Sequence, residues 1–111
     1  MPSPCSVTVT ERGGVTVASL AGELDLATAA DAFDQVALAA RGRFVVVDLT
    51  GVTFIDSIGI SQIVLLARRT SIRLVLAPGF QPERVLNITG IPEAIPCFAS
   101  IDDAMRYSIG A

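Results

Sequence analysis

The sequence predicts an α/β fold: one domain spanning residues 1–111, with a mixed, mostly parallel β-sheet, an N-terminal antiparallel hairpin and about four helices. Three observations lead there. Short apolar or alternating stretches that suit strands take turns with amphipathic stretches that suit helices. The length is that of one ordinary domain, and 51% of the residues are hydrophobic, enough for a sizeable core. No linker, repeat or low-complexity tract divides the chain.

Ser6 to Thr10 alternates, with Val7 and Val9 on one side, and reads as a first strand. Glu11-Arg12-Gly13-Gly14 is a turn, and Val15 to Leu20 is the returning strand. Gly22-Glu23-Leu24-Asp25 reads as a loop. A helix is predicted from about Leu26 to Ala40, where Leu26, Ala29, Ala30, Phe33, Val36, Ala37 and Ala40 share a face. Arg41-Gly42-Arg43 ends it, with Gly42 suited to the terminating turn. Phe44 to Leu49 is almost wholly apolar, as in a central strand covered on both faces. Residues 50–57 read as a loop, and a second helix spans about Ile58 to Arg69. Ile72 to Ala77 is another buried strand. Pro82 suits the first turn of a third helix and Gly90 its end. Ile95 to Ala99 is a last short strand, and Ser100 caps a final helix whose first turn carries Asp102 and Asp103. The order β-β-α-β-α-β-α-β-α implies right-handed crossovers. The loops at 22–25 and 50–57 both follow strands, so they are expected to meet at one rim of the sheet.

Composition removes several functions. The net charge is −3 and the pI about 4.7, with no basic stripe for nucleic acid. All eight basic residues are Arg; there is no His and no Lys. Cys5 and Cys97 make no metal-binding or redox spacing and read as free thiols in a cytoplasmic protein. Apolar runs such as Ile63–Ala67 are far too short to cross a bilayer. Met-Pro-Ser-Pro-Cys at the start lacks the pattern of a signal peptide.

The most informative stretch is Asp-Leu-Thr-Gly-Val-Thr-Phe-Ile-Asp-Ser-Ile-Gly, residues 48–59. It places Asp56-Ser57 where a strand-end loop becomes a helix. A structural reading makes Ser57 the helix N-cap, with Asp56 adding favourable charge. Catalysis by Ser57 needs a base, and neither His nor Lys exists; the G-x-S-x-G elbow is absent because Ile55 precedes Asp56-Ser57. A third reading is a phosphate switch. Phosphoserine adds about −1.5 to −2 charges, which helix-start amides and the dipole would favour and Asp56 and Asp25 would oppose. Helical spacing turns Ile60, Ile63, Val64 and Ala67 toward the sheet. It turns Ile58 and Leu65 outward among Ser61, Gln62, Arg68 and Arg69, as an apolar docking patch beside Ser57.

These residues resemble the STAS family, the domain shared by sulfate transporters and bacterial anti-sigma factor antagonists. The likeness runs through Gly22–Asp25, Val47–Gly59, Leu74–Pro78 and Val85–Ile91. It implies that Ser57 is phosphorylated by a partner serine kinase that is itself the anti-sigma factor. The unmodified antagonist binds that kinase and frees the sigma factor; the phosphorylated one lets go, and a phosphatase resets it. The chain would then be no enzyme and need no cofactor. Glu23, Asp25, Asp56, Ile58, Gly59, Ser61, Gln62 and Leu65 would form the partner surface. Many such antagonists carry Asp-Ser-Ser-Gly where this chain has Asp56-Ser57-Ile58-Gly59, which keeps the acceptor, loses the second hydroxyl and makes the patch more apolar. The loop Pro78-Gly79-Phe80-Gln81-Pro82 is idiosyncratic. An alternative is a cytosolic STAS subunit of a transporter complex, binding an ATPase subunit without phosphorylation. A small-ligand sensor is a third, with no pocket signature to support it.

Overall fold

Residues 5–106 are described by the structure, a computed structural model. The reading of the chain's first four residues therefore lies outside it. The elements are β1 (Ser6–Arg12), β2 (Val15–Leu24), α1 (Ala29–Ala40), β3 (Val45–Ile55), α2 (Ser57–Arg69), β4 (Ile72–Val75), α3 (Gln81–Thr89), α4 (Ile91–Ala94), β5 (Cys97–Phe98) and α5 (Ile101–Arg106). Every predicted element is present, and α4 is added, giving five helices among the described residues. A single turn with Pro92 near its start has no periodicity to reveal it; buried Ile91 holds it to the core.

The sheet order is β1-β2-β3-β4-β5. Among the described residues only β1–β2 is antiparallel; β2–β3, β3–β4 and β4–β5 are parallel. Strands laid down in sequence order through right-handed crossovers put every crossover helix on one face. The larger core follows from this. Phe33 and Val36 of α1, Ile63 and Leu66 of α2, and Leu86 of α3 pack on Leu20, Val45, Val47 and Leu74. The opposite face holds a smaller cluster, in which Ala104 of α5 covers Val17, Val46 and Val75. Arg73 ties this layer together. Its guanidinium lies 5.1 Å from the Phe44 ring centroid and 5.8 Å from that of Phe98, and it donates to the Ala104 carbonyl at 2.5 Å. Among the described residues the strand order never reverses, so they form no topological switch point.

The expected loops at 22–25 and 50–57 are largely strand. They do meet, but as a parallel ladder in which Gly22 pairs with Val52, Glu23 with Phe54 and Leu24 with Ile55. Two irregularities, between Ser19 and Ala21 and between Gly22 and Glu23, each give β3 one residue more than β2. A bulge flips the side-chain alternation, so Val45, Val47 and Leu49, then Val52, then Ile55 all reach the larger core. Asp48 stabilises the first bulge by accepting from the Thr50 amide (3.0 Å) and the Thr50 hydroxyl (2.7 Å). Gly51 is obligatory there, since a Cβ would stand 2.9 Å from the Leu20 carbonyl oxygen.

The helix faces also shift. α1 starts at Ala29, because the Asp25 carbonyl accepts from Thr28 N and Ala29 N in a preceding turn. Leu26 therefore lies outside the helix and is 77% exposed, Ala30 is exposed, and Ala32 takes the buried place. Arg41 is the left-handed C-cap, at φ 53°, and Gly42 follows it in the terminating turn, also left-handed at φ 72°. In α2 the buried row is Gly59, Ile63 and Leu66, with Ile60, Val64 and Ala67 packed at its margins. The helix leans toward α1 as well as the sheet, which brings Leu66 inward.

Candidate functional site

The start of α2 is capped by Asp56, not by Ser57. Asp56 is extended, at φ −106° and ψ −173°, and its Oδ1 accepts from Ile58 N (2.9 Å) and Gly59 N (3.0 Å). A carboxylate here satisfies two first-turn donors and meets the positive end of the helix dipole. Ser57 is thereby released from structural duty. It is exposed, it occupies the first helical position, and among the described residues nothing hydrogen-bonds its hydroxyl. The expectation that helix-start amides would cradle a phosphate on Ser57 needs correction, because Asp56 already occupies those of Ile58 and Gly59.

The backbone ahead of Ser57 is gripped from both sides. Asp56 N donates to the Leu24 carbonyl at 3.1 Å, tying it to β2. On the other edge, Ile55 N donates to Gln81 Oε1 and Gln81 Nε2 donates to the Ile55 carbonyl, both at 2.9 Å. Gly59 completes the packing. A Cβ on it would lie 2.5 Å from Ile55 Cγ1 and 2.8 Å from the Leu24 carbonyl oxygen. Gly59 was expected on the partner surface; being buried, it instead lets α2 sit close on β2 and β3.

The remaining predicted residues surround this point unevenly. Glu23 is exposed and pairs with Phe54 across the ladder. Asp25 lies one residue beyond the Leu24–Asp56 bond, but its Oδ1 accepts from Ala27 N at 3.0 Å and so serves its own turn. Ile58 (36% exposed) and Leu65 (48%) are both exposed, and their seven-residue spacing puts them on one side of α2. Ser61 is exposed, and its hydroxyl donates to the Ser57 carbonyl at 2.9 Å. Gln62 is half-buried; with Leu65 it borders a groove of about 400 Å³ between α1 and α2, whose wall includes Phe33, Asp34, Arg68 and Arg69. Two features escaped the sequence reading. Phe54 is 43% exposed three residues before Ser57. Gln81 follows the Pro78-Gly79-Phe80 segment, where no local pattern marks a contact with Ile55, 26 residues away in the chain.

Both cysteines are free and half-buried. Burial raises the Cys5 thiol pKa and pushes that of Cys97 up to about 11, so both favour the unreactive thiol. No described helix is long and apolar enough to cross a membrane.

Comparison with known proteins agrees with this architecture. The STAS domain family model matches residues 6–104. The anti-sigma-F factor antagonist RsfB of Mycobacterium tuberculosis is 31% identical over 110 residues, covering 94% of this chain and 89% of the relative. The crystal structure of an anti-sigma factor antagonist from Mycobacterium paratuberculosis superposes with a TM-score of 0.83 at 24% identity, covering 95% of this chain and 96% of the other. The anti-sigma factor antagonist SpoIIAA in its unphosphorylated form gives 0.69 at 16% identity, covering 90% and 93%. The last two are likenesses of fold; the family match and the relative at 31% identity go further. The chain belongs to the STAS domain family.

Proposed function

We propose that this protein is an anti-sigma factor antagonist, a binding protein controlled by phosphorylation of Ser57. The observation that carries the proposal is the exposed Ser57 hydroxyl, free of hydrogen bonds among the described residues, beside a cap supplied by another side chain. Modification there leaves the helix cap intact and changes the surface. The name of the Mycobacterium tuberculosis relative supports the choice of partner class.

In the unmodified state the apolar side chains of Ile58 and Leu65, flanked by Glu23, Asp25, Ser61 and Gln62, meet a kinase-type anti-sigma factor. The kinase brings ATP; its γ-phosphoryl group passes to Ser57 Oγ, the hydroxyl gives up its proton, and ADP leaves. The product carries about two extra negative charges beside the Asp56 carboxylate. Two like charges about 4 Å apart repel by roughly 1 kcal/mol in bulk water and about 4 kcal/mol near a protein surface. A partner that must desolvate this pair loses roughly tenfold in affinity for each 1.4 kcal/mol. A phosphatase restores the neutral hydroxyl.

The test is incubation with radiolabelled ATP and a purified serine-kinase anti-sigma factor from the same genome. Wild-type protein is expected to take up one phosphoryl group, Ser57→Ala none, and the phosphorylated form to elute separately from the kinase. Labelling that persists in Ser57→Ala removes Ser57 from the role. Stable capture of an ATPase subunit of a transporter, with no labelling, favours the transport-complex reading instead.

A further inference from the structure

We propose that Gln81 is a positioning residue for the acceptor segment, its carboxamide acting as the strand that β4 is too short to supply. This deepens the switch reading above and rests on it. β4 pairs with β3 only from Val45 to Asp48. Beyond that point the edge of β3 facing away from β2 has no strand beside it among the described residues, although β3 runs on to Ile55. At Ile55, directly before Asp56-Ser57, the Gln81 side chain makes the donor-and-acceptor pair that a neighbouring peptide group would make, with both contacts at 2.9 Å.

The chemistry is selective. A carboxamide carries a neutral donor and a neutral acceptor on one planar group. A carboxylate of the same length keeps the acceptor for Ile55 N but turns negative charge toward the Ile55 carbonyl. An alanine supplies neither. Ile55 is fully buried, so its peptide has little access to water as a substitute. Gln81 is the first residue of α3, and among the described residues its side chain bonds nothing else. The grip therefore ties the start of α3 to the start of α2. With the Asp56–Leu24 bond on the opposite edge, it fixes the direction in which Ser57 leaves the sheet. Phe80, immediately before Gln81, is 62% exposed, so the anchoring element itself reaches the surface.

Gln81→Ala and Gln81→Glu are compared with the wild type in two measurements. The first is amide hydrogen exchange by NMR on the free protein. Faster exchange is expected at Ile55 in Gln81→Ala, with Val46 and Leu74 unchanged as a sign of an intact sheet. The second is the kinase assay described above. The rate constant for phosphorylation of Gln81→Ala is expected to fall about tenfold with KM nearly constant, since a displaced acceptor slows transfer even when docking survives. Gln81→Glu is expected to fall between the two. Glu83→Ala, which breaks a contact of α3 to Gly79 N without touching Ile55, keeps the wild-type rate. Unchanged exchange at Ile55 overturns the clamp. Faster exchange with a wild-type phosphorylation rate overturns the positioning role and leaves the switch standing. An equal rate loss in Glu83→Ala also overturns it, by reducing the effect to general loosening of α3. Wild-type protein that is never labelled overturns the switch and the positioning role together.

Discussion

Replacing Gly59 by alanine tests whether close packing or helix preference governs the start of α2. By intrinsic propensity the change is favourable, since alanine is preferred to glycine inside helices by about 1 kcal/mol. The surroundings say the opposite. The added methyl would stand 2.8 Å from the Leu24 carbonyl oxygen, which is backbone, and 2.5 Å from Cγ1 of the fully buried Ile55. Forcing a methyl into such a site costs roughly 1–3 kcal/mol. The Leu24 carbonyl also accepts from Asp56 N, and moving α2 away would stretch that bond, worth about 1 kcal/mol. Against the propensity gain, the net expectation is a loss of about 1–3 kcal/mol. For a domain of this size that lowers Tm by roughly 5–20 °C. Thermal and urea unfolding followed by far-UV circular dichroism measures it. A Gly59→Ala protein as stable as the wild type, or more so, would refute the packing argument.

Asp56→Ala is expected to lower unfolding free energy by about 1–2 kcal/mol through loss of the cap, while Asp56→Asn stays near wild type because asparagine caps equally well; urea titration separates them. Leu65→Asp is expected to change stability by less than about 0.5 kcal/mol yet weaken anti-sigma factor binding at least tenfold by calorimetry. Ile58→Asp acts alike on binding, its extra folding cost partly offset by an acid in the first turn. For Cys97, the folded pKa near 11 lies above the ordinary value of 9.0, so the unfolded chain ionises first. The stability tied to this thiol is whole below pH 9 and is lost as pH rises through 11. At pH 8, iodoacetamide should label Cys97 in the folded protein roughly tenfold to a hundredfold more slowly than in urea-unfolded chain, as read by mass spectrometry.

Much of the fold was legible because its signals are local. Pro82 and Gly90 bracket α3, and Ser100 caps α5 by accepting from Asp103 N, as their residue types require. The reading broke where long-range contacts override local pattern. Gly22 and Gly51 look like loop residues, yet they sit in a β2–β3 ladder that continues through two bulges. Leu26 fits a helical stripe, but the Asp25 turn delays the helix and leaves that side chain in solvent. At the site, Asp56-Ser57 was visible as a helix start, while the division of labour between them was not. Either residue type can cap, and only backbone geometry shows that the carboxylate does so.

From the residue order alone came the α/β architecture, the absence of a histidine or lysine base, and the segment around Ser57. These depend on residue chemistry, periodicity and turn preference, which act over a few neighbours. Three-dimensional packing decided which hydroxyl stands free, why Gly59 must be glycine, and that Gln81 grips Ile55 from 26 residues away in the chain. Such contacts have no local signature, because their partners become neighbours only after the sheet has assembled.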